Sequence, residues 1–237
     1  MVIKYSFYYN RQYTCNSFVQ LIQLKNYNSI TYLDCSNIYI KKLPKLPHNL
    51  EYLNCSYTWI ETKLLPELPK SLKKLYCNFN GLNVLPILPN NLTSLQCISN
   101  NLNELPKLPD NLNELYCDHN NLPILPELPL NLIKLYCGHN NLIILPKIPD
   151  SLKEMWVYRN QLTILPKLPN GLKTYYYSCN PVHNYINNNC AGDLDIYNKE
   201  NTIFANKLGV WFLECKYNPK YKYCRNWINS KYDSLML

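Results

Sequence analysis

The sequence predicts a curved solenoid. Short parallel strands lie side by side on its concave face, extended polyproline-like chain returns along its convex face, and a small, mainly helical cap comes after them. Three observations point there. The chain repeats itself every twenty residues over about two thirds of its length, fourteen of its seventeen prolines fall at two fixed places in that repeat, and six cysteines recur at a third. A repeat this short cannot enclose its own apolar face, so stacked neighbours must supply the core. With 17 Pro against 5 Gly, the 237 residues suit such an array better than a compact helical or α/β enzyme, because proline interrupts the ladders of helix and sheet alike.

The repeat reads L-x-x-L-x-C-x-x-N-x-L-x-x-L-P-x-L-P-x-x, restarting at Leu72, Leu92, Leu112, Leu132, Leu152 and Leu172. Upstream, units begin at Ile30 and Leu50, the latter stretched to 22 residues around Glu61 to Lys63. This gives seven full units and a truncated eighth over residues 30–182. In the unit from Leu112, Leu115 and Cys117 have the two-residue spacing of a strand and point inward, with Leu112 and Leu122 completing the core. The segment from Leu125 to Pro129 cannot be helix or central strand, since proline fixes φ and removes donors.

Asn80, Asn100, Asn120, Asn140, Asn160 and Asn180 recur at the ninth position, just past the strand where the chain must turn. Amides there satisfy backbone groups, so these residues are expected to form a structural ladder. Ile38 and Thr58 occupy the position in the first two units, which predicts a less regular amino-terminal end. Residues 1–29 are read as a cap containing a short amphipathic helix from Ser17 to Leu24, with Ser17 as N-cap and an apolar face over the first strand. Residues 183–237 are read as a C-terminal cap or small appended module with an aromatic segment around Phe204, Leu208, Trp211, Phe212, Tyr221, Tyr223 and Trp227, where a docking motif is the alternative to a cap.

The paired Leu-Pro-x-Leu-Pro and the twenty-residue unit resemble the short, bacterial-effector type of leucine-rich repeat. The Asn, Lys, Ile and Tyr bias resembles versions encoded by AT-rich giant DNA viruses of amoebae, which implies a viral protein acting on a host partner in the host cytoplasm. Some bacterial effectors with this repeat carry a ubiquitin-ligase domain with a Cys-x-Asp nucleophile motif. Here Cys190-Ala-Gly-Asp193 departs from that spacing by one residue, and the 55-residue tail is too short for such a domain, so a ligase remnant is disfavoured.

Composition narrows the function further. The formal charge of +8, from 24 basic and 16 acidic residues, contains no polybasic block for nucleic acid or membranes. No stretch approaches the roughly 18 apolar residues that span a bilayer, and Met1-Val-Ile-Lys-Tyr-Ser lacks a secretory signal, so a soluble cytoplasmic protein is expected. Cys35, Cys55, Cys77, Cys97, Cys117 and Cys137 form one inward column, replaced by Val157 and Tyr177 at its end. Six aligned thiols invite a metal, yet the absence of a CxxC pair and the change to Val favour small buried hydrophobes, with no metal and no cofactor.

The outward fifth position carries the strongest functional signal, reading Asp34, Asn54, Tyr76, Gln96, Tyr116, Tyr136, Trp156, Tyr176. With strands about 4.8 Å apart, these rings are expected to form a nearly continuous stripe on the concave face. They either contact a ligand or stack on one another to stiffen the sheet. His119 and His139, at one place in adjacent units, and Arg159 fringe that face. The concave positions hold six basic residues (Lys73, Lys74, Lys134, Lys153, Arg159, Lys173) and five acidic (Asp34, Glu51, Glu114, Asp118, Glu154). This near neutrality favours a protein or peptide partner over RNA, and a glycan or RNA surface is the alternative. No acid, base or nucleophile stands apart from positions the repeat explains, so a non-enzymatic scaffold is expected.

Overall fold

A computed structural model describes residues 2–7 and 11–189. The chain divides into two compact units, Met1–Asn184 and Tyr185–Leu237, and every described strand belongs to the first. The expected motif Cys190 to Asp193 and the aromatic segment from Phe204 lie outside the described residues.

Eight three-residue strands recur once per repeat: β3 (Tyr32–Asp34), β4 (Tyr52–Asn54), β5 (Lys74–Tyr76), β6 (Ser94–Gln96), β7 (Glu114–Tyr116), β8 (Lys134–Tyr136), β9 (Glu154–Trp156) and β10 (Thr174–Tyr176). All pair in parallel with like position against like, as in Leu115↔Leu135 and Tyr116↔Tyr136. A single fixed register results from the period, because a slip by one residue would turn every core leucine to solvent. Each central strand leucine, like each cysteine of the column, is fully buried. The Leu-Pro-x-Leu-Pro segments contain no helix or strand, and their leucines are buried, apart from the partly exposed Leu168 in the last of them, while the residue between the two Leu-Pro pairs faces outward, as at Lys107 and Glu127.

The amino-terminal end departs from expectation. α1 (Phe18–Ile22) forms with Ser17 at its N-cap, the Ser17 hydroxyl accepting from the Gln20 N–H. The first strand, however, is covered by β1 (Ile3–Phe7), which pairs antiparallel with β3 and with β2 (Arg11–Cys15). The physical reason is the backbone edge: an unpaired strand exposes a row of donors and acceptors that an amphipathic helix cannot satisfy and another strand can. At the other end α2 (Pro181–Asn189) begins one residue after the last ladder asparagine. Among the described residues no helix is long and apolar enough to cross a membrane.

Candidate functional site

The turn that ends each strand is built from two adjacent positions. At the eighth, the backbone enters the left-handed region, with φ between 51° and 59° at Asn37, Tyr57, Phe79, Ser99, His119, His139, Arg159 and Cys179. Such a conformation costs a side-chain-bearing residue roughly 1–2 kcal/mol. It is offset at the ninth position, where the asparagine is buried. Asn140 Nδ2 donates to the carbonyls of Cys117, Cys137 and Gly138 at 3.0, 3.2 and 3.2 Å, and its Oδ1 accepts from the Leu122 N–H at 3.0 Å. The same bonds recur at Asn100, Asn120, Asn160 and Asn180. In the second unit the Thr58 hydroxyl donates to the carbonyls of Cys35 and Cys55, while the Asn80 amide oxygen accepts from Thr58 N–H. Each asparagine thus ties its own unit to the one before.

A chain with this in-register parallel ladder, buried amide column and repeated Leu-Pro return is 38% identical to YopM from Yersinia enterocolitica WA-314 and superposes with a TM-score of 0.63, covering 65% of this chain and 34% of that one. The chain folds as a leucine-rich repeat solenoid. It spans about a third of the length of that YopM chain. A Shigella effector leucine-rich repeat domain is 31% identical (TM-score 0.49, covering 63% of this chain and 59% of that one). YopM, a leucine-rich effector protein from Yersinia pestis, is 30% identical (TM-score 0.48, covering 66% and 56%). No protein-family model and no curated protein matches the chain.

On the strand face of the leucine-rich repeats, position five is not one stripe. Tyr116, Tyr136, Trp156 and Tyr176 form a run of four rings: Tyr116 meets Tyr136 edge-on at 4.8 Å, Tyr136 stacks on Trp156 at 4.3 Å, and Trp156 meets Tyr176 edge-on at 5.2 Å. Gln96 interrupts it, its side chain accepting from Asn78 Nδ2. Tyr76 belongs instead to a second cluster, edge-on to Tyr52 at 5.3 Å, with Tyr52 stacked on Tyr32 at 4.6 Å. Tyr32 and Tyr52 are third-position residues, which alternation places on the same face as the fifth; that alternation was the available signal for them. The rings from Tyr116 to Trp156 are half-buried and Tyr176 is 54% exposed. The indole N–H of Trp156 is buried without a hydrogen-bond partner among the described residues.

The left-handed turn projects a second column at the strand exit. His119 and His139 stack with centroids 4.0 Å apart, and Tyr158 meets His139 edge-on at 5.2 Å. Burial, then the neighbouring His119 and Arg159, push the His139 imidazole below its ordinary value. In the earlier units Tyr57 and Phe79 stack in the same column at 4.3 Å. Between the columns, position seven makes its own ladder: Asn78 Oδ1 accepts from Ile98 N–H at 2.8 Å and Asp118 Oδ1 from Gly138 N–H at 2.9 Å. Gly138 makes room for the Tyr158 ring, since a Cβ there would lie 2.4 Å from Tyr158 Cε1. Asp118 is buried, and burial raises its carboxyl to about 6 against the Gly138 hydrogen bond, which opposes the shift.

The acids of this face are all engaged. Glu51 pairs with Lys73 at 2.9 Å, and Glu154 accepts from the Tyr136 hydroxyl at 2.6 Å and pairs with Lys134 at 3.4 Å. Glu114 accepts from the Ser94 hydroxyl at 3.1 Å, and Asp34 caps the Ser36 N–H at 3.0 Å. The cysteine thiols have the opposite character to a reactive or metal-binding set. Cys77 donates to the Gln96 carbonyl at 3.4 Å and Cys35 to that of Asn54 at 3.5 Å, and burial pushes the Cys55 thiol up to about 12. Burial thus disfavours the thiolate that nucleophilic attack requires.

Proposed function

We propose that the chain is a non-enzymatic scaffold whose strand face binds another protein, with Tyr116, Tyr136, Trp156 and Tyr176 as the anchor and His119, His139 and Arg159 at its rim. The observation that carries this reading is the four-ring run itself. Large half-exposed rings on a rigid sheet offer contact area at little entropic cost, as partner-binding hot spots do. The scaffold reading also gives the chemistry-bearing residues structural bonds: the thiols donate to backbone carbonyls, the asparagines cross-link units and Asp118 caps a glycine N–H. The composition bias supports an origin in a giant DNA virus and action on a host-cell protein.

Affinity capture from host-cell extract tests this, comparing the wild type with Tyr136→Ala/Trp156→Ala and with Lys107→Gln/Lys147→Gln on the return side. A protein retained by the wild type and the return-side variant and lost by the ring variant is the expected result. Capture profiles that are the same for all three contradict the reading.

A further inference from the structure

Counted residue by residue, the strand face is almost neutral, yet its charges are not equally available. Its five acids each already hold a partner within the fold, whether a lysine, a hydroxyl or a backbone N–H. Two of its six bases, Lys73 and Lys134, are used in those pairs. Among the described residues Lys74, Lys153, Arg159 and Lys173 have no ion-pair partner. Three of these four flank the exposed end of the ring run. Lys153 and Lys173 occupy one position in neighbouring units, joined by the Lys173 N–H to Lys153 carbonyl bond at 2.8 Å, on the strand-entry side of Trp156 and Tyr176. Arg159 lies on the strand-exit side of the same two rings, exposed and held outward by its left-handed backbone.

Resting on the strand-face reading above, we propose that the partner presents an acidic peptide segment: an apolar or aromatic side chain set against Trp156 and Tyr176, with carboxylates beside it that pair with Lys153, Lys173 and Arg159. An incoming carboxylate finds unpaired cations on both sides of the rings. An incoming cation finds only acids that already hold a partner within the fold, so it gains less there than a carboxylate gains from the unpaired cations. A nucleic acid strand is the less suitable polyanion here. It needs cations that follow its backbone past every stacked base, and beside Tyr116 and Tyr136 the flanking Lys134 is already bound to Glu154.

Short fluorescent peptides with one central Trp, flanked by Glu, by Gln or by Lys, together with an oligouridylate of similar length, are titrated against the full chain and followed by anisotropy. The Glu peptide is expected to bind tightest, to weaken as salt is raised, and to lose about fivefold in affinity with Lys153→Gln/Lys173→Gln. Lys107→Gln/Lys147→Gln, which removes the same charge from the return side, is expected to change nothing. Circular dichroism of each variant verifies that it is folded. Equal binding of the Glu and Gln peptides, both abolished by Tyr136→Ala/Trp156→Ala, overturns the acidic assignment and leaves the ring-face reading standing. Binding of the Glu peptide that survives loss of the rings overturns both. Tighter binding of the oligouridylate, or no binding by any peptide, also overturns the proposal.

Discussion

Tyr136 and Asn140 lie four residues apart in one repeat and face opposite ways, the ring toward solvent and the amide into the core. Asn140→Ala strips the Leu122 N–H and three carbonyls of their side-chain partner. It is expected to cost roughly 1–3 kcal/mol for each group left unsatisfied, read as an earlier urea midpoint. Asp118 gives the residue scale a pH dependence. Its folded-state carboxyl, at about 6, lies above the ordinary value for an unfolded aspartate, so folding favours the protonated form. That contribution is complete below about pH 4 and is lost as pH rises through about 6. Asp118→Asn keeps the oxygen that Gly138 N–H requires, as Asn78 already does in an earlier unit of the same ladder. It is expected to be more stable than the wild type at pH 7, by roughly 1–3 kcal/mol, and to flatten the fall between pH 4 and 6. Urea unfolding of both proteins across that range checks it, and parallel curves refute it.

At the scale of elements, neighbouring repeats are matched side chain by side chain. Gly138→Ala drives a Cβ into the Tyr158 ring of the next unit and is expected to cost roughly 1–3 kcal/mol, whereas in a Tyr158→Ser background the same change is expected to be nearly neutral. Equal costs in both backgrounds would show that the ring does not fill that space. The strands, the asparagine turns and the proline return were legible in the sequence because each depends on one residue type at one place in a fixed period. Features that depend on what two units place together were harder to read. Lys134 and Glu154 share the third position in successive repeats, so their pairing was readable in principle once the register was known. The break in the stripe at Gln96 was visible as a letter, but its consequence needed the ring positions. The hairpin of β1 and β2 was missed because Ile3, Tyr5 and Phe7 alternate without a glycine turn signal, and the need it meets belongs to the edge of β3.

At the scale of the whole molecule, stability passes from neighbour to neighbour along the array, so damage at an end is transmitted inward. Deleting residues 1–16 exposes the backbone edge of β3 that β1 now pairs. The truncated chain is expected to self-associate as concentration rises, measured by sedimentation, and a monodisperse monomer with unchanged melting would show that the edge needs no cover. Function rests on the other exposed feature, the four-ring run. Its most direct test is the affinity of Tyr136→Ala/Trp156→Ala for the protein captured by the wild type, measured where the variant's circular dichroism still matches the wild type's. Loss of two hot-spot rings is expected to weaken binding by roughly 2 kcal/mol or more, about thirtyfold, with little change in melting. A double variant that melts as early as Asn140→Ala, and whose folded fraction binds with undiminished affinity, would contradict the account and make the rings part of the scaffold alone.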